Sequence, residues 1–257
     1  MQAIKKLSSF FNTVRQAIFH FKPNGFDFRK AKLLFMENNF KTAEFFSYSE
    51  CSLAYDLLIK YEYPWEALAH ISEFILEIGA SLGDEYEKRG ENIWIYKDAK
   101  IAQSAYINGP CIIDKGAEIR HCAFIRGNAI VGKNAVVGNS TELKNCILFD
   151  NVQVPHYNYV GDSILGYKSH MGAGSITSNV KSDKTLVTIN TGNGRIETGL
   201  KKLGAILGDY VEVGCSSVLN PGTIVGSHSC IYPLSSVRGY VSKNSIYKAK
   251  DDIVQKN

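Results

Sequence analysis

From Ile95 onward an apolar residue falls at every sixth position: Ile95, Ile101, Ile107, Ile113, Ile119, Ile125, Val131, Val137, Leu143 and Phe149. Two positions earlier the residue is usually small, as at Ala99, Ala105, Cys111, Ala117, Ala123, Ala129, Ala135 and Thr141. A second phase of the pattern holds Leu165 and Met171, and a third holds Leu207, Val213, Leu219, Val225, Ile231 and Val237. Glycine often follows the apolar residue, as at Gly132, Gly166, Gly172, Gly208, Gly214 and Gly226. A helix turning every ~3.6 residues cannot hold one face at a spacing of six. Strand alternation tolerates that spacing but does not call for the small residue. A triangular coil accounts for both. Each side carries one short strand, and three sides close a turn of about 18 residues. The apolar residue points to the axis, the small one fits the corner, and glycine permits a sharp turn. The pattern predicts a mainly β chain, with a hexapeptide-repeat parallel β-helix over residues 91–245 whose stacked coils share one core. Cys111, and Cys215 in the coil after Val213, are expected inside as buried thiols.

Two interruptions break the repeat, one expected at 150–160 and the other a long insertion at 178–203. Insertions leave a solenoid as loops on one face, often the binding face. This one carries Lys181, Lys184, Arg195, Lys201 and Lys202, suited to a phosphate, a neighbouring subunit or plain solvation. Residues 1–90 read instead as a helical region, and 246–257 as a C-terminal tail. Over 3–21, Ile4, Leu7, Phe11, Val14 and Ile18 form one stripe of a basic helix. Such a helix suits membrane docking or ordinary packing; packing is the commoner use, so no membrane contact is expected. Segments 49–60 and 64–82 read as two more helices, with Ser49 as a cap, Pro64 in a first turn and Trp65 as a packing residue.

Composition adds limits. The chain has 257 residues, 45% hydrophobic and 21% charged, which is enough for a globular core. Ten of its thirteen Phe lie in the first 46 residues, beside eight Lys/Arg and three Asp/Glu. A net charge of +4 is too mild to indicate a nucleic-acid partner. No apolar run spans a membrane, and no signal peptide is legible. The six cysteines are scattered, with no CxxC pair and no His at zinc-finger spacing, so reduced thiols, a cytoplasmic location and no metal are expected.

Polar chemistry gathers near the interruptions. Arg126 follows Ile125 by one, and Lys144 follows Leu143 by one, 18 residues later, so the two should stack in adjacent coils. Glu142 falls beside that column. Stacked cations are costly unless an anion or a salt bridge compensates, so a phosphate site and a surface ion ladder are equal readings of this spacing. His156 should lie near a corner of the next coil, where a neutral imidazole can accept a proton from an amine.

The stretch PHYNYVGDSILGYKSHMGAGSITSN (155–179) resembles the acetyltransferase half of the bacterial bifunctional enzyme that acetylates glucosamine-1-phosphate and then makes UDP-N-acetylglucosamine. ETGLKKLGAILGDYVEVG (197–214) and NPGTIVG (220–226) look closer to archaeal-type bifunctional sugar-1-phosphate nucleotidylyltransferase/acetyltransferases. The likeness covers about residues 90–240 and implies a left-handed β-helix. It implies His156 as catalytic base and Arg126, Glu142, Lys144, Tyr159, Asn179 and Lys184 as sugar-phosphate residues. It further implies Ala173 and Cys215 at acetyl-CoA, and a homotrimer with sites between subunits. Three positions depart from the family's pattern: His170 replaces an Asn, Cys215 a Ser and Pro233 an Ala. No Gly-rich pyrophosphorylase signature opens the chain, so uridylyltransferase activity is not expected.

Three functions are compatible with these residues. One is acetyl-CoA-dependent N-acetylation of an amino-sugar 1-phosphate. Another is a catalytically weakened β-helix that binds a sugar nucleotide and partners or regulates a separate nucleotidyltransferase. The third is a trimeric structural protein docked through its N-terminal helix.

Overall fold

The computed structural model describes residues 40–47, 51–191 and 194–256. Chain contacts divide the protein into two units, 1–39 and 40–257, and all the described residues belong to the second. The basic helix expected over 3–21 and the Ser49 cap lie outside the described residues.

The repeat builds a parallel β-helix with three faces. Face one stacks Ile95, Ile113, Val131, Leu148, Leu165, Leu207, Val225 and Val241 in register. Face two stacks Ile101, Ile119, Val137, Val154, Met171, Val213, Ile231 and Tyr247. Face three stacks Ile107, Ile125, Leu143, Val160, Thr177, Leu219 and Val237. Nearly all of these side chains are buried, and so are the small residues Ala117, Ala123, Ala129, Ala135 and Thr141. Most corners turn through one residue in the left-handed region, where Asn recurs: Asn128, Asn134, Asn145, Asn151 and Asn244. Asn and Asp tolerate that conformation better than other side-chain-bearing residues.

The repeat slips at different places from those expected. Val131 pairs with Leu148, not Phe149, because the side between Leu143 and Leu148 is one residue short. The side between Val160 and Leu165 is short in the same way. At both, one seven-residue strand, Glu142–Leu148 or Tyr159–Leu165, runs from face three onto face one. The two faces thereby join in one 14-stranded sheet, with face two forming a separate 9-stranded sheet. Phe149 is still fully buried, stacked on Phe46 at 4.9 Å.

Face one is covered. Its outward residues Ile112, Ile130, Ile147, Ile164, Ile206 and Ile224 are all fully buried. Over them lies an arm whose described residues are 40–47 and 51–82. Among its described residues the 49–60 segment forms one four-residue α-helix, α1, Tyr55–Leu58. The segment expected as one helix from 64 to 82 divides into a 3-10 helix, Pro64–His70, and α2, Ile71–Gly79. Glu66 accepts the Tyr63 N–H at 2.9 Å and closes the first turn behind Pro64. Trp65 packs as expected, buried and stacked on Tyr63 at 4.7 Å. α2 crosses the strands Cys111–Ile113, Ala129–Val131 and Glu142–Leu148. Gly79 lets it approach, since a Cβ there would stand 2.7 Å from the Trp94 ring.

Asp209 ties the arm at its other end. Its carboxylate accepts the N–H groups of Ser47 at 2.7 Å and Tyr167 at 2.9 Å. Phe45 O accepts from Asp209 N at 3.1 Å and from the Ser227 hydroxyl at 3.0 Å.

Both ends of the β region differ from expectation. Strand Tyr86–Lys88 pairs antiparallel with Ile93–Tyr96, so the sheet begins before residue 91. The expected tail forms a hairpin, Ser245–Ala249 with Asp252–Gln255, that closes the last edge of face two. The insertion also carries a hairpin, Thr188–Asn190 with Arg195–Glu197. Buried Val187 and Ile189 hold it against the coils, where Gly222 (φ +76°) and Gly239 (φ +82°) leave it room.

Candidate active site

The corner between faces two and three lies opposite the covered face. Down it, one residue per coil, run His121, Asn139, His156, Ala173, Cys215 and Pro233. Backbone hydrogen bonds set this order: Ser140 N to His121 O at 3.1 Å, Tyr157 N to Asn139 O at 2.8 Å, Gly174 N to His156 O at 3.0 Å, Ser216 N to Ala173 O at 2.8 Å, and Leu234 N to Cys215 O at 2.9 Å. The residue after each of the six is left-handed: Cys122, Ser140, Tyr157, Gly174, Ser216 and Leu234. Such a conformation costs a non-glycine residue roughly 1–2 kcal/mol. Tyr157 and Leu234 hold it while 64% and 83% exposed.

His156 is exposed, and its imidazole makes no hydrogen bond among the described residues. Its backbone is held firmly. Asn158, 2% exposed, accepts the His156 N–H at 3.1 Å and donates to Gly172 O at 2.9 Å and Ser175 O at 3.0 Å. Asn158 had no role in the sequence pattern; its two-residue offset from His156 is the local signal of a side chain fixing its own turn. Ala173 occupies the next rung after His156 and Cys215 the rung after that. Cys215 is exposed, which corrects its expected inward placement: it sits two residues beyond the inward Val213, on the corner itself. Cys111 and Cys146 are the buried thiols, each pushed up to about 12 by desolvation.

Three residues past His156, at Tyr159, the chain enters face three and its polar groups. Arg126 donates to Glu142 at 2.7 Å, both partly exposed. Lys144, beside Arg126 in register, pairs instead with Asp162, at 3.3 Å to Oδ1 and 3.1 Å to Oδ2. The two stacked cations are thus compensated by two separate carboxylates, not by one ladder through Glu142. Asn179 Nδ2 donates to Asp162 Oδ2 and to the Tyr159 hydroxyl, the latter at 3.2 Å. Tyr159 reaches Asn179 across Gly161, where a Cβ would stand 2.4 Å from the hydroxyl. Burial, then the nearby Asp162 charge, raises the Tyr159 pKa, so the phenol stays protonated at neutral pH.

The structure therefore brings Lys144, Tyr159 and Asn179 together around Asp162, with Arg126 and Glu142 on the same face and His156 around the corner. Lys184 does not join them. It lies exposed in the insertion with φ +59°, its N–H bonded to Lys181 O at 3.0 Å, and no hydrogen bond ties its side chain to the cluster among the described residues. His170 is also elsewhere, on face two, with Nδ1 2.9 Å from Glu212 Oε2. With Asn151, Gln153, Lys168 and Tyr210 these two line a groove of about 430 Å³.

Comparison with known proteins places the β-helix. Residues 107–232 match the family described as the GMPPB C-terminal domain. The bifunctional protein GlmU of Methanococcus maripaludis is 35% identical over 75% of this chain and 47% of its own length. The bifunctional sugar-1-phosphate nucleotidylyltransferase/acetyltransferase of Sulfurisphaera tokodaii is 33% identical over 64% of this chain and 41% of its own. The chain thus spans less than half the length of either relative. Among solved structures, the polySia-specific acetyltransferase NeuO aligns with a TM-score of 0.43 and 15% identity, over 65% of this chain and 87% of that one. By sequence, the β-helix of this chain is similar to parts of the GlmU proteins and of the sugar-1-phosphate nucleotidylyltransferase/acetyltransferases.

Proposed function

We propose that the chain is an acetyl-CoA-dependent N-acetyltransferase acting on an amino-sugar 1-phosphate of the glucosamine-1-phosphate kind, in the cytoplasm and as a homotrimer. One observation carries this reading: an exposed imidazole, free of partners among the described residues, stands at a rigid corner between a cationic, hydrogen-bonding cluster and the Ala173–Cys215–Pro233 column. His156 takes a proton from the sugar's amino group as the nitrogen attacks the thioester carbonyl. A C–N bond forms, and the tetrahedral intermediate collapses with loss of the coenzyme thiolate. The proton on His156 then neutralises that thiolate or passes to solvent. Arg126 and Lys144 hold the phosphate, and Tyr159 and Asn179 orient the sugar. Acetyl-CoA runs along the Ala173–Cys215 column. The exposed Tyr157 and Leu234 at the same corner give a neighbouring subunit apolar surface to cover.

A second reading, a binding module that partners or regulates a separate nucleotidyltransferase, is favoured by the pairing of Arg126 and Lys144 with carboxylates of the chain itself. A thiol-release assay with acetyl-CoA and glucosamine-1-phosphate or galactosamine-1-phosphate separates the two. Turnover in the wild type that falls about 100-fold or more in His156→Ala supports the enzyme, since a positioned general base is worth that much. Absent turnover with sugar phosphate still bound in calorimetry supports the binding module.

A further inference from the structure

Asp162 is 5% exposed and lies where the short side of the β-helix turns from face three to face one. Its carboxylate accepts from three side chains. Oδ1 takes Lys144 Nζ at 3.3 Å and Asn145 Nδ2 at 3.0 Å; Oδ2 takes Lys144 Nζ at 3.1 Å and Asn179 Nδ2. Its carbonyl accepts Gly204 N at 2.8 Å, and Asn179 O accepts Leu203 N at 3.0 Å. The carboxylate therefore stands at the root of the insertion, between the two ends of that loop and the face-three cluster.

These bonds decide what the cluster shows to the outside. An ammonium has three hydrogens, and the bonds to Asp162 leave Lys144 a donor to turn outward. An amide nitrogen has two hydrogens, and Asn179 commits one to Asp162 and one to the Tyr159 oxygen. Its carbonyl then remains as an acceptor. Since the Tyr159 oxygen already accepts from Asn179, its own O–H is left to donate. One buried carboxylate thus fixes an outward set of one cation, one hydroxyl donor and one amide acceptor.

We propose that Asp162 is the positioning residue of the amino-sugar phosphate site, setting the orientation of Lys144, Asn179 and, through Asn179, Tyr159 without touching substrate itself. The inference rests on the acetyltransferase reading above. In Asp162→Asn an NH2 group replaces one carboxylate oxygen and faces a donor wherever it is placed, while the countercharge of Lys144 is lost. Misplacing positioning groups by about 1 Å can cost on the order of 100-fold.

The test is steady-state kinetics of wild type, Asp162→Asn, Lys144→Met and the double variant, varying each substrate in turn. The expected result is a KM for the sugar phosphate raised about tenfold or more in Asp162→Asn, with the KM for acetyl-CoA unchanged. The double variant should lose less than the two single losses combined, because Asp162 acts in part through Lys144, yet more than Lys144→Met alone, because Asn179 and Tyr159 are released as well. A purely structural Asp162 would lower the active fraction, reducing kcat and leaving both KM values alone; that result overturns the proposal. If circular dichroism shows Asp162→Asn unfolded, Asn145→Ala carries the test: it removes one anchor of the carboxylate and keeps its charge. A sugar-phosphate KM raised about twofold or more supports the proposal, and an unchanged one overturns it. If the wild type shows no turnover, the acetyltransferase reading fails separately. Calorimetric titration of glucosamine-1-phosphate then decides Asp162: weaker binding by Asp162→Asn sustains it, while equal binding or none to either protein overturns it.

Discussion

The covered face can be tested at one residue. Ile130 points outward from the middle of the strand Ala129–Val131 and is fully buried, because α2 crosses that strand. Ile112 and Ile147 flank it in register. Both belong to hydrogen-bonded strands, so neither can collapse into space left by a truncation. Ile130→Ala should therefore fall in the range of buried large-to-small changes, about 2–5 kcal/mol. At ~1.4 kcal/mol per decade that is a shift of roughly 30-fold to several thousand-fold in the folding equilibrium. Gln153 is the control, an exposed outward residue on face two, where Gln153→Ala should stay within about 0.5 kcal/mol. The measurement is guanidinium unfolding followed by circular dichroism at one fixed protein concentration, with the slope unchanged between variants. An Ile130→Ala cost as small as that of Gln153→Ala would show that face one meets solvent and that the arm does not cover it.

Two further outcomes are expected. In Gly161→Ala the three atoms nearest the new methyl all belong to the far end of the Tyr159 side chain, so the fold should hold while the phenol moves. Sugar-phosphate turnover should fall about 10–100-fold with unchanged melting, and intact kinetics would contradict the placement of Tyr159. Burial raises the Asp209 carboxyl pKa, outweighing the two N–H groups that favour its charge. A carboxyl raised in the folded state contributes stability that is complete below its unfolded pKa and is lost as pH rises through its folded one. Melting curves of wild type and Asp209→Asn between about pH 3 and pH 7 should show the wild type losing ground as pH rises, and the opposite slope would refute this reading.

The β-helix was legible in the sequence because its core is one-dimensional: each inward residue needs only to be apolar and to recur. The short sides were hidden because Glu142–Leu148 and Tyr159–Leu165 read as ordinary strands, and Phe149, one step past the true rung, is itself apolar. The arm's footprint was present but overlooked, as a middle isoleucine in the runs Cys111–Ile113, Ala129–Val131, Ala205–Leu207 and Thr223–Val225. A solvated face would alternate apolar with polar there. In the candidate site, spacing alone set Lys144 beside Arg126, and the family resemblance pointed to Tyr159 and Asn179, which the structure brings together around Asp162. The partner choice of Lys144 was beyond either, because spacing alone does not separate Glu142 from Asp162 and only the turn at the short side brings Asp162 under the lysine.

Those two short sides matter for how the chain finds its fold. Identical coils are interchangeable: a strand displaced by a whole turn would still set Ile on Ile and bury the same apolar column. A length defect removes that freedom. Shifted by one coil, the five-residue step from Val160 to Leu165 would lie against the six-residue step from Ile125 to Val131 and would lose its matching five-residue neighbour, Leu143 to Leu148. The paired omissions act as a vernier, marking the single alignment at which the middle coils fit, and they set that mark where Lys144, Tyr159 and Asp162 must meet.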